Sequence, residues 1–172
     1  HAAQIAVGMG ADVRILDINP QRLEQLDFMF NGRVQTLFSD PYTIAEQAKQ
    51  ADLLIGAVLI TGAKAPTLVN RQLISEMEAG TVVVDVAVDQ GGCIETCHPT
   101  THDAPTFMVE DIVHYCVANM PGAVSRTSTL ALNNTTRPHL LALVDHGVED
   151  ACQRDPSLML GLNTYRGKCT HQ

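Results

Sequence analysis

Residues Gly80 to Gly92 read GTVVVDVAVDQGG, and few folds accommodate such a stretch. Thr81 to Val88 is a run of small and β-branched apolar residues interrupted only by Asp85, the pattern of a strand covered on both faces in the middle of a parallel sheet. The run stops at Asp89, Gln90, Gly91 and Gly92. In an open α/β sheet the ligand crevice lies beyond the carboxyl ends of the strands, so an acid followed by glycines there can meet a bound molecule at close range. Taken alone, the same residues also fit an Asp-rich turn after a core strand.

The neighbouring segments alternate as a doubly wound sheet requires. Ala2, Ala3, Ile5, Ala6 and Met9 recur at helical spacing, followed by a strand from Asp12 to Ile18. Asn19 and Pro20 then open a helix through Arg22, Leu23 and Leu26. Arg33 to Phe38 reads as a strand ending at Ser39 and Asp40, and Pro41 to Lys49 as a helix. Asp52 to Val58 is a further buried strand, and Leu59 to Pro66 a small-residue loop that could lie against a flat ring. A crossover helix is expected over Pro66 to Met77, closed by Gly80. After the polar segment Cys93 to Pro105, strands are expected over Pro105 to Val109 and Ile112 to Ala118, the second ending in Asn119, Met120, Pro121 and Gly122. Thr127 to Val144 has helical periodicity, kinked or divided at Pro138 and ended by Gly147, and the tail reads as short helices with an extended polar end.

Two strand ends stand out besides that of Asp89. Asp17 closes the first strand, where dinucleotide-binding folds place the acid that grips the adenosine ribose. That acid follows a glycine-rich phosphate turn by about twenty residues, which places the turn upstream of His1. The chain is therefore expected to be a piece of a longer polypeptide that also continues beyond Gln172, lacking the first strand of the fold. The other end is Asn119, which can donate and accept hydrogen bonds beside a turn forced by Pro121 and Gly122.

Composition narrows the function. Eleven Lys and Arg against nineteen Asp and Glu leave a net charge of −8 without a basic cluster, which argues against nucleic acid as a partner. No apolar run approaches the roughly 20 residues that cross a bilayer, so no membrane span is expected. Five cysteines without a signal peptide suit a reducing compartment and read as free thiols. Cys93, Cys97, His98 and His102 could suggest zinc, but adjacent Cys97 and His98 fit neither usual ligand pair, so no metal is expected.

The segments ILDINPQRL, SDPY, ADLLIGAVLITGAKAP, VVVDVAVDQGG and HYCVANMPGAVSRTST, in this order, resemble the family of alanine dehydrogenase and the α subunit of proton-translocating transhydrogenase. The likeness runs from about Ile5 to Lys168, and ANMPGAV is similar to the alanine dehydrogenase form. The resemblance implies a Rossmann-type doubly wound parallel sheet that binds NAD over residues 1–126, and C-terminal helices of the substrate domain over residues 127–172. It implies that Asp17 binds the adenosine ribose with Arg22 nearby, and that Ser39 lies near the adenine. Val58 and Leu59 would line the cleft, Val86, Ala87, Val88 and Asp89 would border the nicotinamide, and Asn119 and Met120 would close it. Asp89 matches the family's catalytic carboxylate, whereas the acid/base histidine and the substrate-carboxylate lysine come from a segment outside this chain.

The implied reaction is reversible oxidative deamination of L-alanine to pyruvate and ammonium, in a cytoplasmic homohexamer. This chain alone is expected to be inactive. The alternative within the resemblance is a nucleotide-binding module of a transhydrogenase. Ser125 departs from the proline common in the family, and the segment holding Cys93, Cys97 and His98 matches no family pattern.

Overall fold

The computed structural model describes residues 1–58, 60, 63 and 65–170. The chain divides into two compact units, His1–Met120 and Pro121–Gln172.

The first unit alternates helix and strand: α1 (Ala2–Gly8), β1 (Arg14–Asp17), α2 (Pro20–Phe30), β2 (Gln35–Phe38), α3 (Pro41–Ala48), β3 (Leu53–Gly56), α4 (Arg71–Ser75), β4 (Val82–Asp85), β5 (Thr106–Val109) and β6 (Ile112–Tyr115). The starts of α2, α3 and α4 are set by short polar side chains that accept otherwise unpaired N–H groups. Asn19 caps α2 through the N–H groups of Gln21 and Arg22, Asp40 caps α3 through that of Thr43, and Asn70 caps α4 through that of Leu73. In α2 and α3 a proline follows at the first turn, where its missing N–H costs nothing.

Strands β3, β4 and β6 are parallel neighbours and β5 pairs antiparallel on the far edge of β6, in the order β3-β4-β6-β5. Strands β1 and β2 form a separate parallel pair. This is a Rossmann-type α/β arrangement. In the order 3-2-1-4-5-6, β2 and β1 correspond to the third and second positions and β3, β4 and β6 to the fourth to sixth. Among the described residues no strand joins β1 to β3. The registers bring strand ends together: Asp17 lies opposite Phe38, Gly56 opposite Asp85, and Val84 opposite Tyr115. The core packs the α4 residues Leu73 and Ile74 against Val83 of β4 and Ile112 of β6, with Cys93 and Ile94 from the loop after β4.

Several elements are shorter than the runs that mark them, β3 among them, which spans Leu53–Gly56 rather than Asp52 to Val58. The strand expected to reach Val88 stops at Asp85, because the Asp85 side chain accepts the Ala87 N–H and turns the backbone at once. The helix expected from Pro66 starts only at Arg71, because the preceding residues pair with the loop after β4: Leu68 N–H donates to Cys93 O at 2.8 Å, and Glu95 N–H to Val69 O at 2.9 Å. Strand β6 ends at Tyr115, although Thr100 and Val117 form an isolated bridge beyond it. Between β5 and β6, Glu110 and Asp111 take left-handed φ angles of 52° and 59°, the conformation that closes a two-residue hairpin.

In the second unit, α5 (Ser125–Arg154) contains Pro138 with helical backbone and breaks instead at Gly147, whose φ of 74° and ψ of 170° glycine alone adopts freely. Helix α6 (Pro156–Leu160) is capped by Asp155, and a short hairpin of β7 (Thr164–Tyr165) and β8 (Lys168–Cys169) follows.

Candidate functional site

The loop leaving β4 is built around Asp85. This side chain is fully buried, and both of its oxygens accept hydrogen bonds. Oδ1 receives the Ala87 N–H at 2.9 Å and the Cys93 thiol at 3.8 Å, while Oδ2 receives the N–H groups of Cys93 at 2.9 Å and Ile94 at 3.2 Å. Between these anchor points Val88–Gln90 forms one 3-10 turn, and Gly91 and Gly92 carry φ angles of 93° and 69°. Ala87 and Val88 are buried, so of Val86 to Asp89 only Val86 and Asp89 expose their side chains. Asp89 stands on the exposed side of the turn.

Beyond the end of β6, Asn119 takes a left-handed φ of 56°, and its N–H points to Asp89 Oδ2 at 3.4 Å. The Asn119 carbonyl accepts from His102 Nε2 at 3.1 Å, so that nitrogen carries the proton. The structure thus brings Asp89 and Asn119 together at adjacent strand ends, with Met120 next along the chain. Val58 is half-buried against the core after β3, while Leu59 lies outside the described residues.

A second cluster lies where β1 and β2 end. Asp17 is half-buried; its Oδ1 accepts the Asn19 N–H at 2.8 Å, and its carbonyl accepts the Ser39 N–H at 3.0 Å. Arg22 sits in the first turn of α2 with its guanidinium on Gln25 Oε1 at 3.2 Å. Asp17, Ser39 and Arg22 therefore occupy one end of the β1-β2 pair.

The cysteines and histidines between Cys93 and His102 have separate partners. The Cys93 thiol, buried beside Asp85, is pushed up to about 11 by burial and by the neighbouring carboxylate, and it stays protonated at neutral pH. The Cys97 thiol is raised by its hydrogen bond with the Cys116 thiol and by burial. His98 stacks on Phe107 at 3.9 Å. Among the described residues no group of three or more His, Cys, Asp or Glu side chains is arranged to hold a metal ion. Asp85, an interruption in an apolar run, and His102, in the polar segment that follows, are not among the site residues expected from the sequence. The only signal for Asp85 was a lone carboxylate inside an otherwise apolar run.

Fold and strand-end geometry define a Rossmann-type α/β domain with acid and amide groups gathered at the carboxyl ends of its strands. The chain belongs to the alanine dehydrogenase/PNT C-terminal domain family, whose description matches residues 1–172. It is 56% identical to alanine dehydrogenase 2 of Staphylococcus aureus strain USA300, and equally to that of strain N315, covering all of this chain and 46% of each relative. The chain thus spans about half the length of these curated relatives. An L-alanine dehydrogenase structure superposes with a TM-score of 0.88 at 50% identity, over 99% of this chain and 47% of the other. A transhydrogenase from Sinorhizobium meliloti is more distant, with a TM-score of 0.65 at 29% identity over 75% of this chain and 36% of the other.

Proposed function

We propose that the protein carrying this chain is an NAD-dependent alanine dehydrogenase, converting L-alanine, NAD⁺ and water to pyruvate, ammonium, NADH and a proton, reversibly. The observation that carries this reading is the Asp89 carboxylate held at the end of β4 within reach of the Asn119 N–H beyond β6, where an α/β sheet opens its crevice. Membership of the family supports it.

The residues fit the cofactor. Asp17 has one oxygen engaged by the Asn19 N–H, which leaves the second for a ribose hydroxyl. A carboxylate there disfavours the extra phosphate of NADP, and Arg22, turned to Gln25, offsets this only partly. Ser39 borders the adenosine end. Val58 and Val86 line the cleft with side chains, and buried Ala87 and Val88 contribute backbone; Leu59, expected beside them, lies outside the described residues. Asn119 and Met120 close the nicotinamide side.

NAD, when bound, would supply the acceptor for the hydride that leaves the alanine Cα. The protein then has to orient the substrate and manage its protons. Asp89 offers a hydrogen-bond acceptor to the cationic amine of alanine, or to the water that attacks the imine carbon before ammonium leaves. The same reading places a homohexamer in the cytoplasm, with L-alanine, pyruvate and ammonium as its small-molecule partners. Residues 1–126 act in it as the NAD-binding domain and residues 127–172 as part of the substrate domain. Among the described residues no helix is long and apolar enough to cross a membrane.

The test is NADH oxidation driven by pyruvate and ammonium, with the protein beside its Asp89→Asn variant. A fall in kcat of about 10²- to 10⁴-fold with NADH binding retained is the expected outcome. No turnover with pyruvate, but hydride exchange between NADH and an NADP analogue, would replace this reading with that of a transhydrogenase module.

A further inference from the structure

One side chain, that of Asp85, joins both ends of the loop that carries Asp89, beside a backbone hydrogen bond from the Gly92 N–H to the Ala87 carbonyl at 3.0 Å. Asp85 is buried to 0% exposure at the last position of β4, and its carboxylate holds both ends of the loop. The near end is Ala87 at 2.9 Å, and the far end is Cys93 at 2.9 Å with Ile94 at 3.2 Å. The Cys93 thiol adds a further donor at 3.8 Å. Gly92 is shaped to this contact, since a Cβ there would lie 2.8 Å from Asp85 Oδ2 on a backbone with φ of 69°. The exposed side chain on the loop between these anchors that faces another strand end is Asp89, 3.4 Å from the Asn119 N–H.

We propose that Asp85 is a positioning residue for the reaction: it touches no substrate, and it sets the place of the Asp89 carboxylate by clasping the two ends of its loop. The physical reason is the directionality of the contacts. A buried carboxylate accepts on both oxygens, whereas an amide of the same shape accepts on one and presents N–H groups on the other. In an Asp85→Asn variant one end of the loop therefore meets a donor instead of an acceptor, and that end is released or displaced. Hydride transfer tolerates little displacement, since about 1 Å can cost on the order of 10²-fold in rate.

This inference rests on the alanine dehydrogenase reading, and its test separates the two. Wild type, Asp85→Asn, Asp89→Asn and the double variant of the complete protein are assayed for alanine oxidation, and amide hydrogen exchange is followed in the first two. Asp85→Asn is expected to lower kcat by about 10²-fold, with the KM for NAD changed by less than about threefold. The Ala87, Cys93 and Ile94 amides are expected to exchange about tenfold faster or more, while those of Val83 and Val84 stay protected. The deciding readout is the double variant. If Asp85 acts through Asp89, its kcat matches that of Asp89→Asn within about threefold; a merely structural role would multiply the two losses.

Multiplied losses, or a folded Asp85→Asn with unchanged kcat, overturn the proposal. A wild type without alanine turnover overturns the reading of the reaction instead, and unchanged exchange at Ala87, Cys93 and Ile94 then removes the clasp as well. Should Asp85→Asn fail to fold, Gly92→Ala displaces the same carboxylate by its Cβ. It is expected to reproduce the loss in kcat, and an unchanged kcat in that folded variant also overturns the proposal.

Discussion

Gly56, opposite Asp85 in the sheet, gives up its side-chain space to Cys93. A Cβ at this position would stand 2.5 Å from Cys93 Sγ and 3.2 Å from Ile94 Cδ1, too close for either to remain in place. Gly56→Ala is therefore expected to destabilise the protein by about 1–3 kcal/mol. In a Cys93→Ala background the main obstacle is gone, so the same substitution costs less, and a double-mutant cycle by urea unfolding gives a coupling energy with a rescuing sign. Strictly additive losses would show that Cys93 is not what excludes a side chain there. Residues differ in how well a sequence announces them. Asp17, Asp89 and Asn119 are polar groups at the ends of apolar runs, and that contrast is visible in one dimension. Gly56 lies inside DLLIGAV and answers to a loop that folds onto it from beyond the next strand, so nothing local marks it.

Elements were legible in kind and order because hydrophobic period and capping residues are local signals. Their lengths were not, where a distant backbone competes for the same hydrogen bonds. Helix α4 shows this. Its apolar pattern extends back to Pro66, but Leu68 and Val69 spend their backbone groups on Cys93 and Glu95, and helix begins only after Asn70. Asn70 fixes that start by accepting the Leu73 N–H at 2.8 Å. Asn70→Ala is expected to cost about 1 kcal/mol of stability, and Asn70→Asp, which keeps the acceptor, much less. Thermal unfolding of the two variants beside the wild type checks this, and equal losses would mean that the cap contributes nothing beyond the side chain's own packing. Strand β4 has the same lesson from inside: Val86 to Val88 are as apolar as the strand before them, and the strand ends where the Asp85 carboxylate accepts the Ala87 N–H and a 3-10 turn follows.

At the scale of the whole molecule, His114 ties the sheet to the polar segment that follows the Asp89 loop. It lies fully buried on β6; its Nδ1 meets the Ile112 carbonyl at 3.0 Å and its Nε2 the Thr96 hydroxyl at 2.7 Å. A carbonyl can only accept, so Nδ1 carries the proton and Nε2 accepts from Thr96. Phe107 of β5 stacks on the ring at 5.0 Å and carries His98 on its other contact. Burial is the main cause that holds the His114 pKa below its ordinary 6.5, with His98 and Arg71 acting in the same direction and the Ile112 carbonyl opposing them. The imidazole is therefore neutral in the fold and takes up a proton more readily when the chain unfolds. Between the lowered value and 6.5 the unfolded state binds more protons, so this contribution to stability is fully present above pH 6.5 and is lost as the pH falls through that window. His114→Gln keeps a donor and an acceptor but does not titrate. Unfolding free energies of the two proteins measured across that range are expected to diverge above it and converge toward acid, with the wild type losing more stability on acidification. Parallel pH profiles would mean that His114 titrates alike in both states and that the acid sensitivity of the fold lies with other groups.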